Sequence, residues 1–175
     1  ATNTFTGITP EQTAALTTAQ VKALTSGSAG QIAAFDADDA AVLTPAQVAV
    51  WNSDQATSLT TTAIQALQPD TIAKLSIAAF ASTDVEKLTN EQFLKLSTTQ
   101  IASLNDTVIG SITADQIAGV KTLNAIASEN FDLLTTTVVA ALETSQISKF
   151  DVDNLEAFTN AQAGKFNSDV MDWAY

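Results

Sequence analysis

The chain has no cysteine and no histidine. Disulfides and thiolate metal sites are therefore excluded, and the commonest general base and imidazole ligand are missing. Basic residues are scarce: 7 Lys plus Arg stand against 19 Asp plus Glu, for a net charge of -12. Phosphate recognition needs a basic face, so neither nucleic acid nor an anionic membrane surface is an expected partner. No apolar run reaches the roughly 18 residues that a membrane-spanning helix needs, so no membrane insertion is expected. Hydrophobic residues nevertheless make up 46% of the 175 positions. That is ample for folding, and the length suits one sizeable core or one modest repeat array. The opening Ala1, Thr2 and Asn3 show no signal-peptide pattern and are compatible with a mature terminus. Abundant Thr, Ala, Ser, Asn and Gln without Cys or His is a mix usual in secreted bacterial surface proteins, which is a compositional hint and no more.

What fills the chain instead is a repeat. LTTAQVKA from Leu16 recurs as LTPAQVAV from Leu43, LTTTAIQA from Leu59, LTNEQFLK from Leu88, LSTTQIAS from Leu96 and ITADQIAG from Ile112. With the leading apolar residue as position 0, anchors fall at Ile8, Leu16 and Leu24, then from Phe35 to Leu75, from Leu88 to Val120, and from Ile126 to Phe166. Three phase slips separate these runs, near residues 25–34, 82–88 and 121–126. A second apolar column lies at position 5, with Val21, Ile32, Val48, Phe93, Ile117 and Phe131 among its members. All 8 phenylalanines occupy one column or the other.

An apolar spacing that alternates five and three requires about 4.0 residues per turn, whereas an α-helix has 3.6. The stripe would rotate by about 80° per octad, so one continuous helix cannot bury it. The helix must break in every repeat, and four signals agree on where. Position 1 is usually Thr, Ser, Asn or Asp, the preferred N-caps. Position 4 is often Gln, which gives the capping-box spacing in Thr17/Gln20, Thr44/Gln47, Thr89/Gln92, Ser97/Gln100, Thr113/Gln116 and Thr159/Gln162. Pro10, Pro45 and Pro69 all sit at position 2, the first helical residue, where the missing N–H costs nothing. Gly7, Gly110, Gly119 and Gly164 sit at positions 6 or 7, where a helix ends. Acids gather at position 3, as Glu11, Asp54, Asp70 and Glu91 do, and lysines at position 7, as Lys74, Lys95, Lys149 and Lys165 do.

The expected fold is therefore all-α, a solenoid of short capped helices with one octapeptide per helix and corner. It is expected to run as a single array over residues 1–175, its octads stabilised by stacking on one another. A bundle of longer helices is the competing reading. A β-solenoid is disfavoured, because helix-capping residues dominate and strict alternation is absent.

The LTxxQIxA octads resemble the repeats of large secreted or surface-displayed bacterial repetitive proteins of the adhesin-like kind. The resemblance covers nearly the whole chain. It implies an extracellular structural or adhesive role and carries over no catalytic residue.

Candidate chemistry is sparse. Asp36, Asp38 and Asp39 follow the first slip at a spacing that could ligate calcium, but no EF-hand loop surrounds them. The simpler reading makes Asp36 an N-cap and leaves the other two solvating the first turn. Asp151 and Asp153 have the same two readings. No carboxylate pair is singled out for hydrolysis, so no enzyme, cofactor or resident metal is expected. The repeat phase runs from Phe5 to nearly the last residue without a polar cap, and solenoids with exposed cores associate. Phe5, Ile8, Phe166, Val170, Met171, Trp173 and Tyr175 are accordingly the expected self-assembly residues. The expected function is a secreted structural protein that stacks head to tail into an extracellular filament or matrix, its partners being copies of itself. The alternative is a monomeric adhesion module binding a surface glycan or protein along one face. Slip residues map to loops on one face, so TSGSAG and the STDVEK region are expected to protrude.

Overall fold

A computed structural model describes residues 7–76 and 87–166. Every regular element among the described residues is helical. The chain divides into two compact units, Ala1–Phe80 and Ala81–Tyr175.

The first unit contains α1 (Pro10–Ala15), α2 (Thr18–Lys22), a 3₁₀ turn (Ile32–Ala34), α3 (Ala37–Ala41), α4 (Pro45–Val48), α5 (Ser53–Ala56), α6 (Thr61–Ala66) and α7 (Pro69–Ile72). The second contains α8 (Asn90–Phe93), α9 (Thr98–Ala102), α10 (Asp106–Ser111), α11 (Ala114–Ile117), 3₁₀ turns at Leu123–Ala125 and Ser128–Leu133, then α12 (Thr136–Ala140), α13 (Thr144–Ile147), α14 (Val152–Glu156) and α15 (Asn160–Ala163). No described helix exceeds 6 residues, which rules out a bundle of longer helices in these segments. None is long and apolar enough to cross a membrane.

The helices break where the caps dictate. All six expected boxes form, each with the N-cap side chain accepting the N3 N–H and the Gln side chain accepting the N-cap N–H. Thr9/Gln12, Asn52/Gln55, Asp36/Asp39 and Asp151/Asn154 form boxes as well. Pro10, Pro45 and Pro69 each open a helix. Glycine behaves less uniformly. Gly7 and Gly119 take positive φ as expected. Gly110 lies inside α10, which runs on to Ser111, and Gly164 closes α15 with φ of -68°. Ser111 Oγ donates to the carbonyl of Val108 at 2.8 Å there, so a side chain helps to close the last turn of α10.

Both apolar columns point inward. From Leu24 to Phe158 every described anchor is buried, and so is the second column from Val21 to Ile147. Burying each such Leu, Ile, Val or Phe stabilises by about 1.5–3 kcal/mol, which isolated one-turn helices lack. Helix pairing has a fixed register within each unit. α1 packs on α3, α2 on α4, α3 on α6 and α4 on α7; α8 packs on α11, α11 on α12 and α12 on α15. Each of these pairs joins an octad to the third one after it.

The slips leave this register intact. Ile32 precedes Phe35, and Leu123 precedes Ile126, by the three residues that separate the two columns everywhere else, and all four are buried. In the first slip the extra residues fall inside a capping box. Thr25 N–H donates to Gln31 Oε1 at 3.1 Å, and Gln31 N–H to Thr25 Oγ1 at 3.0 Å, across six residues instead of three. Residues 25–29 are exposed, as a protruding loop requires. Residues 82–86 of the STDVEK slip lie outside the described residues.

Candidate functional site

The position-4 side chain makes two kinds of contact at once. Its Oε1 completes the capping box, and its Nε2 is free to point away from its own helix. Gln47 Nε2 donates to the carbonyls of Thr13 at 3.0 Å and Leu16 at 2.9 Å. Gln55 Nε2 donates to Lys22 at 3.0 Å and Leu24 at 2.7 Å. In the second unit Gln116 reaches Leu88 at 3.1 Å, Gln146 reaches Ile117 and Val120 at 2.8 Å, and Gln162 reaches Phe131 at 2.9 Å and Leu134 at 2.6 Å. Most of the accepting carbonyls lie at or just beyond the end of a short helix or 3₁₀ turn, where carbonyls lack an i+4 donor; some, such as those of Thr13 and Ile117, also accept the N–H three residues on. One amide thus satisfies a helix start on its own octad and a helix end 26–34 residues earlier. These glutamines are buried, and among the described residues no buried side-chain polar atom lacks a partner.

Where position 4 is not Gln, the same place is filled differently. Thr71 Oγ1 donates to the Leu43 carbonyl at 3.0 Å, and Asn154 Nδ2 to Ser128 Oγ at 3.0 Å. Ala63, Val108 and Val138 are buried apolar substitutes. Asp39 is also a position-4 residue, which corrects the expectation that it solvates a first turn. It is buried, accepts the Asp36 N–H at 3.5 Å, and accepts the Thr13 hydroxyl at 2.9 Å. Thr13 occupies the second apolar column, so a buried hydroxyl and a buried carboxylate were placed there together. Asp36 caps α3 as expected, and Asp38 is exposed. Asp151 caps α14 and Asp153 is exposed in its first turn. No group of three or more acidic side chains able to hold a metal ion occurs among the described residues.

Gln12 and Gln20 depart from the pattern. Both complete capping boxes, with Oε1 accepting from Thr9 at 3.0 Å and from Thr17 at 2.9 Å. Both are exposed, and neither Nε2 donates to a carbonyl among the described residues. They present the amide donors that elsewhere bind carbonyls of an earlier octad, with no acceptor on them among the described residues. Ile8 and Leu16, the anchors beside them, are only half-buried. Far along the second unit Phe166 is half-buried as well, its ring edge-on to Phe158 at 5.1 Å. Phe131, Phe150 and Phe158 form the rest of that aromatic cluster, with centroids 5.0–6.0 Å apart. Phe5, Val170, Met171, Trp173 and Tyr175 lie outside the described residues.

Trp51 is a core residue with a wired polar edge: it stacks on Phe35 at 6.5 Å and its Nε1 donates to the Val21 carbonyl at 3.3 Å.

No known protein family matches the chain, and neither the curated proteins nor the solved structures compared with it offer a match.

Proposed function

We propose that the chain is a helical solenoid and a structural protein, and that its α1–α2 edge takes up the helix ends of a second copy. The single observation behind this is the state of Gln12 and Gln20. They form the same capping boxes as Gln47, Gln55, Gln116, Gln146 and Gln162, but no carbonyl among the described residues meets their Nε2. A second copy offers the right acceptors, because its helices end in the same carbonyl pattern. Such contact is heterologous, joining one surface to a different one, and it propagates into an open filament. The absence of Cys and His, the acidic charge and the adhesin-like octads fit a secreted, cell-surface setting. The acidic side chains are spread along the octads as caps and first-turn residues, and the reading assigns no catalysis.

Negative-stain electron microscopy and light scattering over a concentration series test this. Filaments whose mass grows with concentration are expected. Gln12→Glu with Gln20→Glu should abolish them while leaving the fold intact. Glutamate still accepts the N-cap N–H in a capping box, but it has no amide donor and repels carbonyl oxygens. A chain that stays monomeric at the highest concentration, or filaments indifferent to the double substitution, would overturn the proposal.

A further inference from the structure

The three-residue excess in the first slip is not needed for the fold, because the octads without it make the same box and the same core. What it builds is a cleft of about 590 Å³ between the inserted loop and the corner that follows α5. Its walls carry Ser26, Ser28, Asp54, Thr57, Ser58 and Thr60. Ala33 and the buried Leu59 supply an apolar floor.

The loop is held in place rather than draped over the surface. Gly27 N–H donates to Ser58 Oγ at 2.6 Å, and Ser58 Oγ in turn donates to the Asp54 carbonyl at 2.6 Å. Gly27 has φ of +91°, which favours glycine, and a Cβ on Gly30 would sit 2.4 Å from the Ser26 carbonyl oxygen. Two glycines and an interlayer hydrogen bond thus fix the position of Ser26 and Ser28 opposite Asp54.

The lining selects a ligand class. Asp54 is exposed and its carboxylate has no hydrogen-bond partner among the described residues, so it is open as a two-oxygen acceptor. Thr60 Oγ1 accepts the Ala63 N–H at 3.2 Å and keeps its O–H to donate. Thr57 Oγ1 spends its O–H on the Asp54 carbonyl at 3.1 Å and keeps lone pairs to accept. The lining thus offers both hydrogen-bond donors and acceptors beside the apolar Ala33 and Leu59. No lysine or arginine lines the cleft, and the chain carries a charge of -12, which disfavours phosphate, sulfate and other anions. A single carboxylate is too few for a calcium site. The volume lies in the range of small-molecule sites.

The geometry points to a neutral sugar ring as the ligand of this cleft, with vicinal hydroxyls on the Asp54 carboxylate, further hydroxyls on Ser26, Ser28 and Thr60, and the C–H face over Leu59 and Ala33. This site does not depend on self-stacking, and it would make the inserted loop the adhesive element of an otherwise structural chain.

The test is amide NMR of the full chain carrying Gln12→Glu and Gln20→Glu, so that assembly does not intrude. The probes are the methyl glycosides of glucose, galactose, mannose and N-acetylglucosamine, each titrated to several times a dissociation constant of about 1 mM. Saturable shifts confined to residues 26–28 and 54–60 are expected for at least one sugar. Asp54→Asn should weaken binding about tenfold. Deleting Ser26–Ser28, which restores the ordinary octad spacing, should abolish it. The proposal is overturned if no sugar moves these amides, if both variants bind like the parent, or if calcium chloride alone moves them and the sugars do not.

Discussion

Gln55 Nε2 lies 2.7 Å from the carbonyl oxygen of Leu24, while Gln55 Oε1 accepts the Asn52 N–H at 3.0 Å. One side chain closes the start of α5 and the end of α2 together. That double role explains the preference for Gln at position 4: the amide accepts on one side and donates on the other, whereas the apolar Ala63, Val108 and Val138 fill the same place by burial alone.

Gln55→Ala should therefore cost more than an ordinary hydrogen bond. It strands the buried Leu24 carbonyl and the part-buried Asn52 N–H and Lys22 carbonyl, and an unsatisfied buried group costs about 1–3 kcal/mol. A loss of about 3 kcal/mol is expected from urea unfolding followed by tryptophan fluorescence. Gln55→Glu should be nearly as damaging, because it keeps the box but turns a charge toward two carbonyls. Gln12→Glu, on an exposed edge, should change stability by less than about 0.5 kcal/mol. Equal effects at positions 12 and 55 would show that the interlayer bonds contribute nothing.

Thr13 and Asp39 should be coupled. Thr13→Val restores the ordinary apolar residue of that column but leaves the Asp39 carboxylate without its hydroxyl donor. A hydrogen bond to a charged group contributes about 1.5–3 kcal/mol, so Thr13→Val should destabilise despite its better hydrophobicity. In a double-mutant cycle with Asp39→Ala, a coupling of at least about 1 kcal/mol is expected. Additive losses would mean that the 2.9 Å contact is energetically idle.

Glu11 provides a titration that reports on the start of α1. Its own backbone N–H, and then the Thr9 hydroxyl, hold its pKa below the ordinary value of 4.5. A folded-state pKa below the unfolded one means that the group's stabilising contribution is present above the unfolded value. It is lost as pH falls through the folded value. Carboxyl-carbon NMR should show Glu11 titrating below 4.5, and Thr9→Ala should move the midpoint upward. A midpoint at or above the ordinary value would mean that the first turn of α1 is not formed as described.

Much of this structure was legible in the sequence, and the limits have a physical cause. Caps and column positions are local: Thr44 and Gln47 reveal their box by spacing alone, and Pro45 marks the helix start without reference to anything distant. The partner of Gln47 Nε2 is not local. It depends on the angle turned at each corner, which sets whether Thr13 or some other residue comes to lie beside it, and no periodicity encodes that angle. Asp39 was misjudged for the same reason, since its burial depends on Thr13 being brought against it from 26 residues away. The cleft was foreshadowed only by the slip that made it. A box stretched from three to six residues between Thr25 and Gln31 shows in the sequence as lost phase, with no sign of the loop's shape.

Proline at the first helical position offers the cleanest engineering test of the repeat. Pro10, Pro45 and Pro69 already open α1, α4 and α7. Thr98 and Ala114 hold the same place in α9 and α11, and neither backbone N–H has a hydrogen-bond acceptor among the described residues. The preceding caps, Ser97 with φ -73° and ψ 161° and Thr113 with φ -96° and ψ 160°, are already in the extended region that a following proline demands. Thr98→Pro and Ala114→Pro should each therefore stabilise by about 0.4–1 kcal/mol, by restricting the unfolded chain while removing no native bond. Moving the proline one turn on, as in Ile101→Pro, should instead cost about 3 kcal/mol or more. It deletes the Ile101 N–H bond to the Ser97 carbonyl and a buried side chain. Thermal unfolding of the three variants decides the matter. Stabilisation at 98 and 114 with collapse at 101 would fix the helix boundary to the residue, whereas losses at all three would mean that the octads do not break at position 1.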